Sequence, residues 1–259
     1  MIVSANNGNG ITLESGTSDT TVLNNIIGYG ADGQTILLNS GVAIETNAST
    51  GNTIESNLIA CFTAGTRLRA RRGEVPVEQL TCEDELWTKD GRFEPIRWIG
   101  HRRIDCVRHA DPLAILPLRI RAHAFGPGCP YEDIQLSPDH AIFFRDVLIP
   151  VRNLLDEDAI RRETVREVTY YHVELHHHAV VSAAGLPTES YLDTGDRANF
   201  AEPEEAMMLH PRFGEMRGDV SLVFEALGCA PLRVTGPRVM EARTLLQRRS
   251  ARERKRRYA

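Results

Sequence analysis

The sequence predicts a mainly β protein that ends in one α-helix, and three features indicate this fold class. Residues 1–60 consist of short β-branched segments separated by turn-forming residues. Between residues 61 and 200, strand-like segments follow one another with little helical pattern between them. Apolar residues then recur at helical spacing near the C-terminus. These changes of pattern divide the chain into three expected regions, residues 1–60, 61–200 and 201–259.

The overall composition is that of a globular protein and excludes few functions. Of the 259 residues, 42% are hydrophobic and 25% are charged, and no stretch approaches the roughly 20 apolar residues of a membrane span. The N-terminal segment MIVSANNGNGITLESG lacks the basic region and apolar run of a signal peptide. We therefore expect a soluble protein without a membrane span, and the sequence leaves open whether the chain is the end of a longer one.

Residues 1–60 are predicted to form the last rungs of a β-solenoid, a short parallel β-helix-like fragment. The β-branched bursts include ITLES, TVLNNIIG and VAIET, and the turn formers between them include NNGNG, ADGQ and NASTGN. Asn stands beside a strand in both VLNNIIG and IESNLIA, as in stacked coils. A flexible low-complexity tether is the alternative. Because solenoid segments are commonly exported, a secreted or cell-surface location is the expectation, although no signal peptide is visible.

Residues 61–200 are predicted to form an all-β domain with one buried face. Apolar and charged residues alternate in residues 66–70 and in residues 115–121, so they take opposite faces of a strand. The KDG sequence at residues 89–91 lies between two strand-like segments and is a signal for a tight, two-residue hairpin turn.

Residues 201–259 are predicted to contain one amphipathic helix that frays outward at its basic end. The apolar residues at helical spacing are Val239, Met240, Ala242, Leu245 and Leu246. They precede the basic run QRRSARERKRRYA, whose only aromatic residue is Tyr258. Because this run is short, a solvated helix end is expected rather than a nucleic-acid-binding segment.

Cys61 is the first candidate for chemistry because it stands at the boundary between the first two regions. The chain contains five cysteines but no CxxC pair that would indicate a zinc ribbon or a redox dithiol. A cysteine thiol lies within five-membered-ring reach of the preceding carbonyl group, so the amide between Ala60 and Cys61 can rearrange to a thioester by an N-to-S acyl shift. The alternative is that Cys61 is a small buried apolar residue at the start of a strand.

The segment LSPDHAIFF is predicted to be a polar loop that presents His140 ahead of an apolar strand. An amide resists the acyl shift unless its nitrogen is protonated as it leaves, and an imidazole that titrates near neutral pH can donate that proton. The hydroxyl group of Ser137 can polarise the carbonyl group. A lone histidine at a strand start is ordinarily structural, so His140 is a candidate acid only in combination with Cys61.

Four histidines, His172, His176, His177 and His178, fall within the segment HVELHHH. Neighbouring strand residues point to opposite faces, so the three consecutive histidines cannot converge on one metal ion without an irregular loop. No carboxylate or cysteine is spaced to complete such a site. We therefore expect no metal and no cofactor, and we select His178 as the histidine that reaches the Cys61 site.

Taken in order, these segments resemble the motifs of the Hedgehog/intein (Hint) family, in its bacterial intein-like branch. The opening motif resembles CFTAGTRLRARRGEVPVEQLTCEDELWTKDG, the loop that activates the scissile amide resembles LSPDHAIFF, and the late strand pair resembles HVELHHHAVVSAAGLPTES. The resemblance covers residues 61–197 and implies a Hint β fold. It also implies autoprocessing at the bond between Ala60 and Cys61. The implied roles are nucleophile for Cys61, acid for His140, carbonyl-polarising donor for Ser137 and secondary base for His178.

Two departures from the family pattern limit what the resemblance implies. Ser137 stands where inteins usually have Thr, which keeps the hydroxyl group but loosens its rotamer. Inteins end in His-Asn followed by a nucleophile, whereas the corresponding segment here is LPTES, and Asn199 lies downstream without a preceding His. Full splicing is therefore not expected. The predicted outcome is cleavage after Ala60, with the acyl group passing to water, a thiol, an amine or a hydroxyl group.

Two other classes of function stay open at this stage. In the first, the chain is a non-catalytic surface attachment or binding module with a degenerate Hint-like domain, and the bond before Cys61 is never cut. In the second, the chain is a Cys-His hydrolase that acts on other proteins, although a nucleophile at a domain boundary argues against this. The leading hypothesis is a single-turnover reaction on the chain's own N-terminal segment, without a nucleic-acid or membrane partner.

Overall fold

The chain forms two compact units, Met1–Asn57 and Leu58–Ala259. The computed structural model describes six short strands in the first unit and four segments of the second, residues 61–109, 112–156, 158–193 and 227–257. Among the helices in these segments, none is long and apolar enough to cross a membrane.

Strands of the first unit pair in parallel. They are β1 (Ile2–Val3), β2 (Ile11–Leu13), β3 (Thr21–Leu23), β4 (Ile26–Ile27), β5 (Ile44–Thr46) and β6 (Thr53–Glu55). β1 pairs with β4, β2 with β5 and β3 with β6. Parallel pairing is what stacked coils of a solenoid require. The predicted turns NNGNG, ADGQ and NASTGN lie outside the described residues, so the β-solenoid stays a prediction.

The second unit contains one 13-stranded sheet, and its strand pairs are antiparallel. Its strands are β7 (Phe62–Thr63), β8 (Arg67–Ala70), β9 (Gly73–Pro76), β10 (Glu85–Trp87), β11 (Phe93–Asp105), β12 (Leu118–Ile120), β13 (Ile134–Leu136), β14 (Ala141–Phe144), β15 (Val147–Pro150), β16 (Ile160–Arg162), β17 (Glu167–Leu175), β18 (Val180–Ala183) and β19 (Leu186–Glu189). The strand order is β15-β14-β19-β18-β8-β10-β11-β17-β7-β13-β12-β16, and β9 pairs with β8.

Short helical segments and one long helix complete the second unit. They are helix α1 (Pro112–Ile115), two 3₁₀ turns (Val77–Gln79 and Val151–Leu154) and helix α2 (Pro237–Arg257). The mainly β architecture with a C-terminal helix, predicted from the sequence pattern, is therefore confirmed.

Buried and exposed side chains alternate along the strands as the sequence pattern predicts, and the buried ones belong to the core. In β8, Leu68 and Ala70 are buried while the arginines before them are exposed. In β12, Leu118 and Ile120 are buried on either side of Arg119. Period-two patterning therefore identifies the inward face of both strands.

The strand predicted at residues 115–121 starts later than expected. Ile115 ends helix α1, and β12 begins only at Leu118. Pro112 suits the first turn of a helix, and Pro117 disfavours helical geometry in the residue before it. The two prolines therefore confine a helical turn where alternation alone predicted extended chain.

Helix α2 packs one face against the core of the second unit, beside the 3₁₀ turn Val151–Leu154. Val239, Ala242 and Leu246 are buried there, at the spacing of one helix face. Met240, predicted to share the apolar face, is 61% exposed. The helix continues through the basic run to Arg257, where fraying was predicted. Positive charges near a helix C-terminus interact favourably with the helix dipole, which is consistent with this extension.

The hairpin predicted from the KDG sequence at residues 89–91 forms between β10 and β11. Its connection is longer than two residues, because strand pairing ends at Trp87 and Phe93. The N–H group of Gly91 donates to the carbonyl oxygen of Thr88 at 3.0 Å and closes a turn within this connection. Gly91 has a φ of 83°, in the left-handed region that glycine adopts readily.

The hairpin between β18 and β19 has a two-residue turn. Ala184 and Gly185 have φ values of 48° and 82°, and a type I′ turn requires positive φ at both positions. A Cβ atom added at Gly185 would lie 2.5 Å from the carbonyl oxygen of Gly128, whereas one added at Gly91 would meet nothing within 4 Å. Gly185 is therefore required for both its conformation and its close approach to neighbouring backbone.

Replacing Gly185 with Ala is expected to destabilise the second unit more than replacing Gly91 with Ala. Both substitutions place Ala at positive φ, which costs about 1 kcal/mol. Only the Cβ at position 185 collides with backbone, which adds about 1–3 kcal/mol. Urea unfolding followed by tryptophan fluorescence reports on this unit, because both tryptophans, Trp87 and Trp98, belong to it. Equal losses for the two variants would contradict a steric role for Gly128.

Candidate functional site

The register of β7 assembles the candidate site. Phe62 of β7 pairs with the last residue of β13 on one side and with Tyr171 of β17 on the other, and both pairings are antiparallel. Cys61 immediately precedes Phe62. Because both pairings are antiparallel, the residues that immediately follow the two partners of Phe62, Ser137 and His172, lie on either side of Cys61. These two residues are 76 and 111 positions away from Cys61 along the chain.

Hydrogen bonds hold Cys61 against Ser137. The backbone N–H group of Cys61 donates to Ser137 Oγ at 2.9 Å, and the N–H group of Ser137 donates to the carbonyl oxygen of Cys61 at 3.1 Å. Cys61 is only 1% exposed, so these bonds lie away from bulk water. The Ser137 hydroxyl group therefore contacts the nitrogen of the bond between Ala60 and Cys61. Ala60 itself lies outside the described residues, so the predicted donation from Ser137 to its carbonyl group stays a prediction.

His172 is the histidine in contact with the Cys61 thiol, with Nε2 at 3.3 Å from Sγ. Its side chain is fully buried beside Trp98 and Tyr191. The Tyr191 ring centroid is 4.4 Å from that of His172, so the aromatic contacts restrict the orientation of the imidazole. In its neutral form, an imidazole at this distance can accept a thiol proton.

The sequence pattern predicted no role for His172, because the run of three histidines that ends at His178 is the stronger local feature. A signal for His172 was nevertheless present. It lies two and four positions after Tyr170 and Val168, and strand alternation places these three residues on one face. All three are buried in β17.

His140 is fully buried, and its ring contacts the Phe62 ring edge-on at a centroid distance of 4.4 Å. The backbone N–H group of His140 donates to the backbone carbonyl oxygen of Ser137 at 3.2 Å, and this bond closes a turn within the predicted polar loop. Burial lowers the pKa of His140, and the Glu189 carboxylate and the backbone of Cys61 oppose that shift in part. The imidazole is therefore neutral at pH 7 and lies close to the backbone of Cys61.

Asp139 is a buried carboxyl group next to His140 that sequence reasoning did not select. It is 4% exposed, and its Oδ1 atom lies 2.6 Å from Arg152 Nη1. Burial raises the pKa of Asp139 to about 7, although the Arg152 guanidinium group acts in the opposite direction. This carboxyl group therefore changes charge close to neutral pH, one residue away from the candidate acid.

The structure places His178 against Glu189 and Cys229. Its Nε2 atom lies 3.3 Å from Glu189 Oε2, and its Nδ1 atom accepts the backbone N–H of Cys229 at 3.1 Å. Burial lowers the pKa of His178, but interactions with the side chains of Cys229 and Glu189 outweigh burial and raise the pKa to about 9. The predicted role of His178 as a secondary base for Cys61 stays a prediction.

Glu189, which sequence reasoning did not select, connects His178 to the loop of His140. Its Oε1 atom accepts the backbone N–H of Ala141 at 2.7 Å. The carboxyl group is 1% exposed and therefore acts in a largely water-free environment. Because Ala141 directly follows His140, the carboxylate that contacts one buried histidine also supports the backbone of the other.

A family model described as Hint domain matches residues 60–195, which is just over half of the 259-residue chain. The matched range begins one residue before Cys61 and includes Ser137, His140 and His172. No curated protein is significantly similar to the chain in sequence.

Two solved structures illustrate the structural similarity. The bacterial intein-like domain from Clostridium thermocellum is 16% identical, with a TM-score of 0.38, and the match covers 51% of this chain and 99% of that domain. The DnaB intein from Synechocystis sp. PCC 6803 is 9% identical, with a TM-score of 0.35, and the match covers 51% of this chain and 99% of that intein.

Replacing Asp139 with Asn is expected to flatten the pH dependence of stability between pH 5 and pH 8. Its pKa in the folded chain, about 7, exceeds the value of about 3.9 in an unfolded chain. The folded state therefore holds a proton that the unfolded state has released, and this contribution to stability is lost as the pH rises through 7. The decrease in unfolding free energy from pH 5 to pH 8 should shrink by about 1–3 kcal/mol in the variant.

Urea unfolding at both pH values, followed by tryptophan fluorescence, measures this effect. The matched control is Asp146→Asn, because Asp146 is exposed and its pKa is lowered by the bond to Arg238, so it does not titrate in this window. The same pH dependence in the Asp139→Asn variant and the unaltered chain would contradict the assignment of a raised pKa to Asp139.

Proposed function

Because the chain belongs to the Hint domain family, we propose that its second unit is a self-processing domain that cuts the chain between Ala60 and Cys61. The reaction is an N-to-S acyl shift, followed by hydrolysis of the thioester or transfer of its acyl group. One observation carries this proposal: both reacting atoms of Cys61 have a buried polar partner. Ser137 Oγ lies 2.9 Å from its nitrogen, and His172 Nε2 lies 3.3 Å from its sulfur.

The first step is removal of the Cys61 thiol proton by His172. A free cysteine is mostly protonated at neutral pH, and the thiolate is the nucleophile. The neutral imidazole of His172 accepts the proton, and the sulfur attacks the carbonyl carbon of Ala60. The contact between sulfur and imidazole favours His172 over His178 as the base.

The second step is departure of the Cys61 nitrogen, which must gain a proton as its bond to the Ala60 carbonyl carbon breaks. His140 supplies that proton from its protonated form, which is the minority form at pH 7 and which the lowered pKa makes a stronger acid than an exposed imidazolium. Ser137 keeps the nitrogen in place through the hydrogen bond to its N–H group. His140 takes up its proton from solvent and His172 later releases the thiol proton to solvent, so the shift as a whole consumes no proton.

The thioester then passes its acyl group to an external nucleophile, and water, a thiol, an amine and a hydroxyl group are all competent acceptors. Splicing is not part of this proposal. The segment LPTES lacks the asparagine that would cyclise, and its Ser190 has a structural role. Ser190 Oγ accepts the N–H of Ala179 at 3.0 Å, and the N–H of Ser190 donates to the carbonyl oxygen of Ala179 at 2.8 Å.

Treatment with hydroxylamine or a millimolar thiol should release the segment that ends at Ala60, because these nucleophiles attack a thioester far faster than an amide. Intact mass measurement should detect a product that begins at Cys61, and the Cys61→Ala variant should stay at full length. Cys106→Ala is the matched control, because Cys106 is 3% exposed and belongs to the same apolar cluster as Cys61. This control should cleave like the unaltered chain. Full-length mass in every sample would contradict the proposal.

Replacing His172 with Gln should slow hydroxylamine-induced cleavage about 100-fold at pH 7, the usual range for loss of a general base. The loss should be much smaller at pH 9, because the thiolate then forms without a base. Mass spectrometry of timed samples gives both rates. A purely structural role for His172 predicts the same loss at both pH values, and that result would remove it from the mechanism.

A further inference from the structure

Glu189, in β19, is a buried carboxyl group to which the proposed mechanism gives no role. Its side chain is only 2% exposed, and its two oxygen atoms have different partners. Oε1 accepts the backbone N–H of Ala141, the residue after His140, at 2.7 Å, and Oε2 lies 3.3 Å from Nε2 of His178. A buried carboxylate costs free energy unless nearby donors and positive charges compensate it, so Glu189 favours positive charge on the histidines around it.

Strand pairing fixes Glu189 relative to His140. In the antiparallel pair of β14 and β19, the residue after Ala141 lies opposite the residue before Glu189. The carbonyl oxygen of His140 accepts the N–H of Val151 at 3.0 Å, while the N–H of Ala141 donates to Glu189. The peptide group that joins His140 to Ala141 is therefore bonded at both its carbonyl and its N–H group, and Glu189 supplies one of the two partners.

The charge of Glu189 acts on the form of His140 that the second step of the proposed reaction needs. Protonation of the Cys61 nitrogen requires the imidazolium form of His140. Burial is the main cause that lowers the pKa of His140, the Glu189 carboxylate opposes that shift, and the His178 imidazole adds to it. His140 and Glu189 are at most 1% exposed, and electrostatic interactions are stronger where water is excluded. Glu189 therefore favours the reactive form of His140, and His178 offsets part of this effect.

Two further charged groups lie close to His140 and face each other. Asp139 directly precedes His140, and its Oδ1 atom lies 2.6 Å from Arg152 Nη1. The uncharged ring of Phe62 contacts the imidazole from β7. The negative charge of Glu189 also raises the pKa of Asp139. Because the Asp139 carboxyl group is paired with Arg152, Glu189 is the carboxylate whose charge acts on the buried histidines.

We propose that Glu189 is a positioning residue for His140 in the cleavage reaction. Its Oε1 atom fixes the peptide group after His140, and its negative charge favours the imidazolium form that donates a proton to the Cys61 nitrogen. Glu189 itself neither gains nor loses a proton. His178 shares the charge of Glu189 and thereby limits how strongly that charge acts on His140. This inference rests on the proposed function and adds a residue to it.

Hydroxylamine-induced cleavage, followed by intact mass, separates the two contributions of Glu189. Glu189→Gln keeps an oxygen acceptor for the N–H of Ala141 but removes the charge, and it should slow cleavage about threefold or more at pH 7. Glu189→Ala removes both and should slow cleavage about tenfold or more. The matched control is Glu167→Gln, because the Glu167 side chain is 46% exposed and pairs with Arg103. This control should cleave like the unaltered chain.

The pH profile of cleavage distinguishes a charge effect from a purely structural one. The loss of rate in Glu189→Gln should shrink between pH 7 and pH 5, because a larger share of His140 is then protonated in both chains. A structural role predicts the same loss at every pH. An equal loss at pH 5 and pH 7, or a Glu189→Gln chain that cleaves as fast as the unaltered one, would overturn the proposal.

A second measurement does not depend on cleavage. In the full-length Cys61→Ala chain, NMR follows the imidazole resonance of His140 between pH 8 and pH 5, identified by its loss in a His140→Gln variant. Adding Glu189→Gln should move the onset of protonation to a pH at least about 0.5 lower, and adding His178→Gln should move it to a higher pH.

The two measurements distinguish failure of the role of Glu189 from failure of the proposed function. Identical positions of the His140 resonance at every pH, with and without Glu189→Gln, would overturn the role assigned to Glu189. Full-length mass in every hydroxylamine sample would instead overturn the proposed function.

Discussion

The pairing of β7 between β13 and β17 is the constraint on which the geometry of the candidate site depends. β7 contains only two residues, and Phe62 is 1% exposed between its two neighbours. Side chains alternate between the two faces of a sheet, so a shift of one residue would turn Phe62 and Cys61 to the opposite faces. Burial of the Phe62 ring, worth about 2–3 kcal/mol, opposes that shift. The same packing that stabilises the sheet therefore holds Cys61 between Ser137 and His172.

Burial of polar groups is a second feature of this domain. His140, His172 and Glu189 are each at most 1% exposed, so neighbouring protein groups rather than water set the free energy of their charged forms. The directions of the pKa shifts follow from this environment. Burial lowers the pKa of His140, whereas the neighbouring Cys229 and Glu189 raise the pKa of His178 despite its burial. One domain thus contains two buried imidazoles whose pKa values are shifted in opposite directions by their surroundings.

Much of the fold was predictable from local patterns. Alternation identified the inward residues of β8 and β12, turn-forming residues identified the β10–β11 hairpin, and helical spacing identified α2. The errors arose where a local pattern competed with another constraint. Pro117 ended a helical turn inside a segment that alternation predicted as strand, and Met240 faces solvent because α2 buries a narrower stripe than its apolar residues cover.

The sequence by itself was enough to predict Cys61 as the nucleophile and the segment around His140 as the activating loop. Cys61 stands at a change of composition, and the order of Ser137, Asp139 and His140 within one short loop is legible without a structure. Only the tertiary structure decided which of four histidines contacts which cysteine. His172 reaches Cys61 through a strand that is 111 residues away, and His178 meets Cys229 across 51 residues. Strand register depends on burial across the whole sheet. Two histidines that are close in sequence can therefore contact different cysteines, and the local sequence pattern does not show which.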